Sequence, residues 1–299
     1  MYTNKMDWLG FDPDTPRATR RRVIVVLAFA MLGISSSAVL VRGMGAPALA
    51  IAAWRTLGSA LLLAPPGARG LPGLGRRELV GTIGAGLALG LHFWAWFASI
   101  QHTTVLRSTL LVCLVPAWTA LLEWIGSGVA PRRAHWLGLG LALPGLGILA
   151  GTSAGEASWL GDLLAIAAGW LWAGYLLVGR RVRQRVEITT YMGLVCLAAA
   201  CLLFPTAWLT HTPLVGWPWQ TWALLFAAIA GPQLLGHQGF NYAVRWLPAS
   251  TISILMLFEP VGAAGLAALL LDERPPPSVG AGALLVLAGI AVAIRPRST

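Results

Sequence analysis

His92-Phe93-Trp94-Ala95-Trp96-Phe97-Ala98 is followed by a short polar break and an apolar run that ends at Pro116. His237-Gln238-Gly239-Phe240-Asn241-Tyr242-Ala243 is followed by a break at Arg245-Trp246-Leu247-Pro248 and an apolar run that ends at Pro260. The histidines are 145 residues apart and the prolines 144, about half of the 299-residue chain. Both copies lie in hydrophobic sequence. A duplicated hydrophobic unit is the pattern of a membrane protein built from two repeats.

Composition sets the solvent. The chain is 57% hydrophobic and 11% charged, with a mean hydropathy of +0.72, whereas soluble domains carry about 25% charged residues. Ten apolar segments approach the roughly 20 residues that a span requires: about 23–41, 46–63, 79–100, 103–123, 134–151, 159–179, 188–209, 219–243, 249–271 and 278–295. In lipid the backbone must satisfy its own hydrogen bonds, and the runs lack the alternation of an outer-membrane barrel, so helices are expected. The expected fold is therefore all-α and integral to the membrane, with ten transmembrane helices. Residues 1–22 read as a disordered basic cytoplasmic tail. The first apolar run is too long for a signal-peptide core and has no clear cleavage pattern, so it is expected to remain as an anchor.

The net charge of +10 is distributed by side. Seventeen Lys and Arg fall in the tail, in 64–78, 124–133 and 180–187, at Arg245 and at the C-terminus. The other side has Arg42 and Arg274, while Arg55 and Arg107 lie within spans. This asymmetry predicts cytoplasmic termini, and it removes the reason to invoke a nucleic-acid partner. Cys113, Cys196 and Cys201 lie in apolar spans without metal or disulfide spacing. There is no G-x-x-x-x-G-K-[ST], H-E-x-x-H or G-x-S-x-G motif, so neither ATP-driven pumping nor hydrolysis has support, and no cofactor is implied.

Five spans per half is an odd number, so residues 23–151 and 159–296 should enter the membrane from opposite sides as inverted repeats. Pro116 and Pro260 are expected at equivalent mid-helix kinks. Gly86–Gly90 and Gly147–Gly151 have the four-residue spacing of close helix packing.

Several stretches resemble a known family. Asn241-Tyr242-Ala243, Pro248-Ala249-Ser250, Phe258-Glu259-Pro260-Val261-Gly262-Ala263 and Leu271-Asp272-Glu273-Arg274 resemble the second EamA repeat of the drug/metabolite transporter superfamily. Gly161-Asp162-Leu163-Leu164-Ala165 with Trp172-Ala173-Gly174-Tyr175 resembles the first helix of that repeat, and Ala53-Trp54-Arg55 the second helix of the first repeat. The first copy is degenerate: Val115-Pro116 stands where the second has Glu259-Pro260, and Val129 where it has Glu273. The resemblance implies an inner-membrane exporter of amino acids or related metabolites. Length and tryptophan content are similar to those of the YddG-type aromatic amino acid exporters.

Ionisable groups deep in a membrane cost on the order of 2.5–3.5 kcal/mol and usually face a cavity or a partner. Those found here are Arg55, His92, His237 and Glu259. Arg55 suits either a substrate carboxylate or a structural ion pair, and Glu259 either transport or backbone donors near the proline. Gln233, His237 and Asn241 form an i, i+4, i+8 stripe that should face inward. Interhelical hydrogen bonding is its alternative role. His92 and Trp96 occupy the symmetric places on the third segment. Serines 35–37, Ser250, Thr251 and Ser253 add neutral donors that can also bond their own helix backbone. Of 15 tryptophans, eight lie at expected interfaces, whereas Trp54, Trp94, Trp96, Trp118, Trp170 and Trp172 are deeper.

The expected activity is secondary transport of small amphipathic metabolites by alternating access. Aromatic amino acids come first, with His92, Trp96, Gln233, His237, Asn241, Arg55 and Glu259 as binding residues. Expected partners are a small-molecule substrate and membrane lipid, with protons as a coupling ion if transport is coupled, in a monomer or weak dimer. Another metabolite or drug-like solute, a lipid-linked sugar flippase and a non-transporting scaffold are the alternatives.

Overall fold

The computed structural model describes residues 9–102, 108, 111–128, 130–150, 158–270 and 277–295, and among these there is no β-strand. The first half contains α1 (Arg17–Met44), α2 (Ala48–Gly67), α3 (Arg76–His102), α4 (Val115–Ser127) and α5 (Arg133–Ala150). The second contains α6 (Trp159–Val182) and α7 (Ile188–Leu209). Next comes a composite rod of α8 (Trp219–Ala228), a π-helical stretch (Ile229–His237) and α9 (Gln238–Ala243). It is followed by α10 (Ala249–Met256), α11 (Phe258–Leu270) and α12 (Pro277–Ala293). Turn chemistry ends several of them: α1 stops at Gly45 (φ 60°) and α4 at Gly128 (φ 71°), both left-handed caps.

Among the described residues, five helical stretches are long and apolar enough to cross a membrane: Ala48–Gly70, Arg76–Trp96, Trp159–Val182, Ile188–Leu209 and Ala249–Leu266, the last made of α10 and most of α11. Pro277–Ala293 is apolar but shorter. Two further apolar segments differ from these: π winding divides the composite rod, and arginines load both ends of α1. Phe29, Leu61, Phe226, Leu269 and Leu284 are exposed on the outside of the bundle, where lipid rather than water makes their exposure favourable.

Contacts between the halves are symmetric. α3 packs on α6 and α7, and its counterpart, the composite rod, packs on α1 and α2. α4 packs on α6, and α11 packs on α1. α2 meets α7 and α5 meets α12. The α5–α12 pair is antiparallel, because Gly138 lies against Gly289 while Gly145 lies against Gly282. Gly138 and Gly282 are 144 residues apart, as are Gly145 and Gly289, the same offset as the prolines. A Cβ on Gly145 would sit 2.7 Å from the Gly282 carbonyl oxygen, so these glycines admit backbone to backbone. Gly86 and Gly90 do pack, against α7, but Gly147 has nothing within 4 Å and Gly151 lies outside the described residues.

The basic segments converge on one end of the bundle. Arg180 pairs with Glu123 at 3.0 Å and Arg185 with Glu78 at 3.1 Å. Gln184 donates to the Arg245 carbonyl at 2.9 Å, and Arg132 to that of Arg295 at 2.7 Å. The other end is tied by Thr221 donating to the Met44 carbonyl and by Trp54 Nε1 donating to that of Leu214.

Four expectations change. Within the tail, Leu9 and Phe11 are buried in the core, Arg17–Arg22 already belong to α1, and Arg20 donates to the carbonyls of Asp12, Pro13 and Thr15. Burial of two large apolar side chains supplies what the charge pattern of the tail does not reveal. Pro116 and Pro260 do not kink continuous helices. Each sits in the first turn of a new helix, after breaks at Cys113–Leu114 and at Leu257, where a missing N–H costs least. The segment carrying Gln233 and His237 is π-wound rather than α-helical. Arg183, expected as an exposed loop cation, is 2% exposed. It donates through Nε to the Asn241 carbonyl at 3.1 Å and also to that of Val186, which caps the C-terminal end of α9 with a cation. Burial, helped by nearby Arg245, pushes its pKa down to about 10, so it stays charged at neutral pH.

Candidate functional site

The two halves meet at a core of rings and buried polar groups. α2 presents Arg55, 1% exposed. One guanidinium nitrogen donates to Gln233 Oε1 at 2.9 Å and another to Ser37 Oγ at 3.5 Å, and the group lies 5.2 Å over the Phe93 ring. Among the described residues its Nε has no acceptor, nor has Ser59 Oγ a partner one turn further along α2. Glu259 acts on Arg55 electrostatically but, among the described residues, forms no hydrogen bond or ion pair with it. A buried cation balanced mainly by neutral acceptors is an expensive arrangement.

Phe93 links Arg55 to the histidines. His237 meets Phe93 edge-on at 5.7 Å and Trp172 at 5.0 Å, and Trp172 lies 4.9 Å from His92. His92 also stacks on Trp96 at 6.0 Å with rings 27° apart. Its Nδ1 is 2.9 Å from the Ala168 carbonyl. A carbonyl only accepts, so that nitrogen carries the proton and Nε2 is the one left for other chemistry. His237 Nδ1 and Trp172 Nε1 have no hydrogen-bond partner among the described residues.

Asn241 extends the cluster toward the basic end. Its Nδ2 donates to the Tyr175 hydroxyl at 2.5 Å and to the His237 carbonyl at 2.8 Å, and Oδ1 is left without a donor. Gln233 Nε2 contacts Cys196 Sγ at 3.7 Å. The two amides and the imidazole of the expected stripe are all buried despite the π winding. π-Helical turns recur at functional sites because they re-aim side chains.

Of the residues singled out from sequence, Arg55 joins Gln233, His92 joins Trp96, and His237 joins Asn241 in one cluster. Glu259 stands half-buried in the first turn of α11, without direct contact to the others. Ser35 and Ser36 bond their own helix backbone, as serines in apolar helices often do. Ser253 likewise donates to its own helix backbone, at the Ser250 carbonyl 3.0 Å away, and also pairs with Thr119 at 2.6 Å across α10 and α4. Trp94 and Trp170 are exposed, whereas Trp172 is 2% exposed and central. Sequence reasoning did not assign Phe93, Trp172 or Tyr175 to the site. The signal was the buried face of α6, where Ala165, Ala168, Trp172, Tyr175 and Gly179 recur at helical spacing.

Comparison with known proteins agrees with this arrangement of halves. Residues 21–151 and 159–295 each match the EamA-like transporter family. The uncharacterized transporter YwfM of Bacillus subtilis (strain 168) is 26% identical over 264 residues, 80% of this chain and 89% of its own. An uncharacterized transporter of Archaeoglobus fulgidus is 22% identical over 198 residues, 65% of this chain and 68% of its own. The uncharacterized protein PA1977 of Pseudomonas aeruginosa is 30% identical over 285 residues, 93% of this chain and 96% of its own. A solved crystal structure at 23% identity shares the fold, with a TM-score of 0.78 over 92% of this chain and 97% of its own. With both halves matched to one family, this multi-pass membrane protein belongs to the EamA-like transporter family.

Proposed function

We propose that the protein is a secondary transporter that exports small amphipathic metabolites, aromatic amino acids first, across the bacterial inner membrane, as YddG-type exporters do. In this reading ten spans form two inverted five-helix repeats, residues 23–151 and 159–296, which rock about the central cluster in alternating access. Both termini lie in the cytoplasm. Protons bound at the histidines are the candidate coupling ion, and the unit is a monomer or weak dimer. The antiparallel α5–α12 seam and its 144-residue offset support the inversion.

The observation that carries the substrate class is the pairing of Arg55, a buried cation with an unused N–H, with a wall of Phe93, Trp172, His92, Trp96 and His237. Such a site suits a carboxylate attached to a flat apolar group. Ring burial contributes roughly 1.5–3 kcal/mol, which is weak enough for release. A nucleotide would need several cations at this depth, and the cluster offers one. In this reading Gln233, Asn241 and Glu259 supply the polar lining for the ammonium end.

Phenylalanine and tryptophan flux in proteoliposomes at matched protein amounts tests this. Trp96→Ala and His92→Ala are each expected to reduce flux while the protein still inserts. Unchanged flux in both rejects the site, and no flux in the wild type rejects the substrate class. Orientation has its own test, made with Cys113, Cys196 and Cys201 replaced. Residue 183 is too buried to probe, but Arg185, 74% exposed at its side chain, is suitable. A cysteine at 185 should resist impermeant maleimide in intact cells and one at 211 should react; the reverse pattern rejects cytoplasmic termini.

The flippase alternative requires a lateral opening that reaches the central site. An outward groove does exist between α1 and the composite rod, lined by Val26, Phe29, Ile188, Leu234, Leu235, Gln238, Gly239 and Tyr242. Neither histidine, Arg55 nor Trp172 lines it, which favours transport of a soluble metabolite through the centre.

A further inference from the structure

We infer that this outward groove is a binding site for one anionic phospholipid. It has a volume of about 270 Å³. Its lining is mostly apolar, with Val26, Phe29 and Ile188 on one wall, and only along the composite rod does it gain polar side chains toward the basic end. Phe29, Leu234 and Leu235 are aliphatic or aromatic and lie farthest from the basic end, where an acyl chain runs. Gln238 and Tyr242 follow at successive turns toward the basic end, both are half-buried, and they would meet the ester groups of the lipid.

The cation comes from α1. Arg22 precedes Val26 by one turn, about 6 Å along the axis and about 40° around it, so it continues the Val26–Phe29 stripe. It is exposed, and among the described residues it makes no hydrogen bond or ion pair. Arg20, by contrast, is bound to three carbonyls. The nearest carboxylate in sequence to the lining, Glu187, accepts from Thr189 Oγ1 at 2.6 Å. A phosphate at Arg22 with its chain in the groove thus meets a free cation. The lipid would rest on the π-helical stretch and brace the wall that holds Gln233 and His237 on its inner face.

The test is native mass spectrometry of the full-length protein with phosphatidylglycerol or phosphatidylcholine of identical acyl chains. One arginine at a membrane surface is expected to favour the anionic lipid about fivefold. Arg22→Gln should remove that preference. Arg21→Gln, about 140° from Val26 around the helix, should keep it. Val26→Phe, which fills the groove, should lower retention of both lipids. Equal retention of the two lipids by the wild type, or identical behaviour of the Arg21 and Arg22 variants, overturns the site. Displacement of the lipid by phenylalanine would assign the groove to substrate and also overturns it.

Discussion

Replacing Arg55 with Met is expected to reduce substrate flux about 10- to 100-fold, because a charge-assisted hydrogen bond is worth roughly 1.5–3 kcal/mol and each 1.4 kcal/mol is a factor of ten. The side chain is 1% exposed, packs over Phe93, donates to Gln233 and Ser37, and keeps Nε free. The free N–H is the one that a substrate carboxylate would take. Met retains the packing of the aliphatic stem but leaves Gln233 Oε1 without its donor, so some stability is lost as well. Arg55→Lys separates the two contributions: it keeps the charge but loses the planar fork that reaches Gln233 and Ser37 together. Its flux should lie between those of wild type and the Met variant. Proteoliposome flux, corrected for the folded fraction by size-exclusion chromatography, is the measurement. Wild-type flux from the Met variant would remove Arg55 from the site.

Gly289→Val is expected to destabilise the fold by about 3 kcal/mol, the upper range for overpacking, which corresponds to a fall in melting temperature of roughly 6–12 °C. A Cβ there would stand 2.5 Å from the Gly138 carbonyl oxygen and 2.8 Å from the Ala142 Cβ. The obstacle is backbone, so no rotamer change relieves it. Gly145→Val should behave alike, since its Cβ meets the Gly282 carbonyl at 2.7 Å. Gly147→Val is the control: nothing lies within 4 Å, and its change should stay within about 0.5 kcal/mol. Thermal unfolding in detergent distinguishes them. Equal melting temperatures for the three variants would show that α5 and α12 do not pack through this seam.

The glycine result illustrates how far sequence reaches. Spacing alone selected Gly147–Gly151, yet the seam uses Gly138 and Gly145. Four-residue spacing says that a close approach is possible; which face meets a partner depends on a helix from the other half, 144 residues away. The stripe of Gln233, His237 and Asn241 was legible, because polar groups in an apolar helix must turn inward whatever the winding. The π turns beneath it were not, since they answer to how Pro232 and the glycines around it pack on α1.

Hydropathy, charge asymmetry and the half-chain echo by themselves determined a helical membrane protein of two related halves. Each follows from a solvent property acting on the local sequence: lipid rejects unpaired backbone, and arginine stays on one side. Tertiary structure alone decided that Trp172, one of several deep tryptophans, is the ring between the two histidines. It also decided that Arg183 leaves solvent to cap α9 and that the prolines begin helices rather than bend them. These outcomes depend on contacts between segments distant in the chain, where burial, ring geometry and the location of unpaired carbonyls are set by the partner and not by the residue's own neighbours.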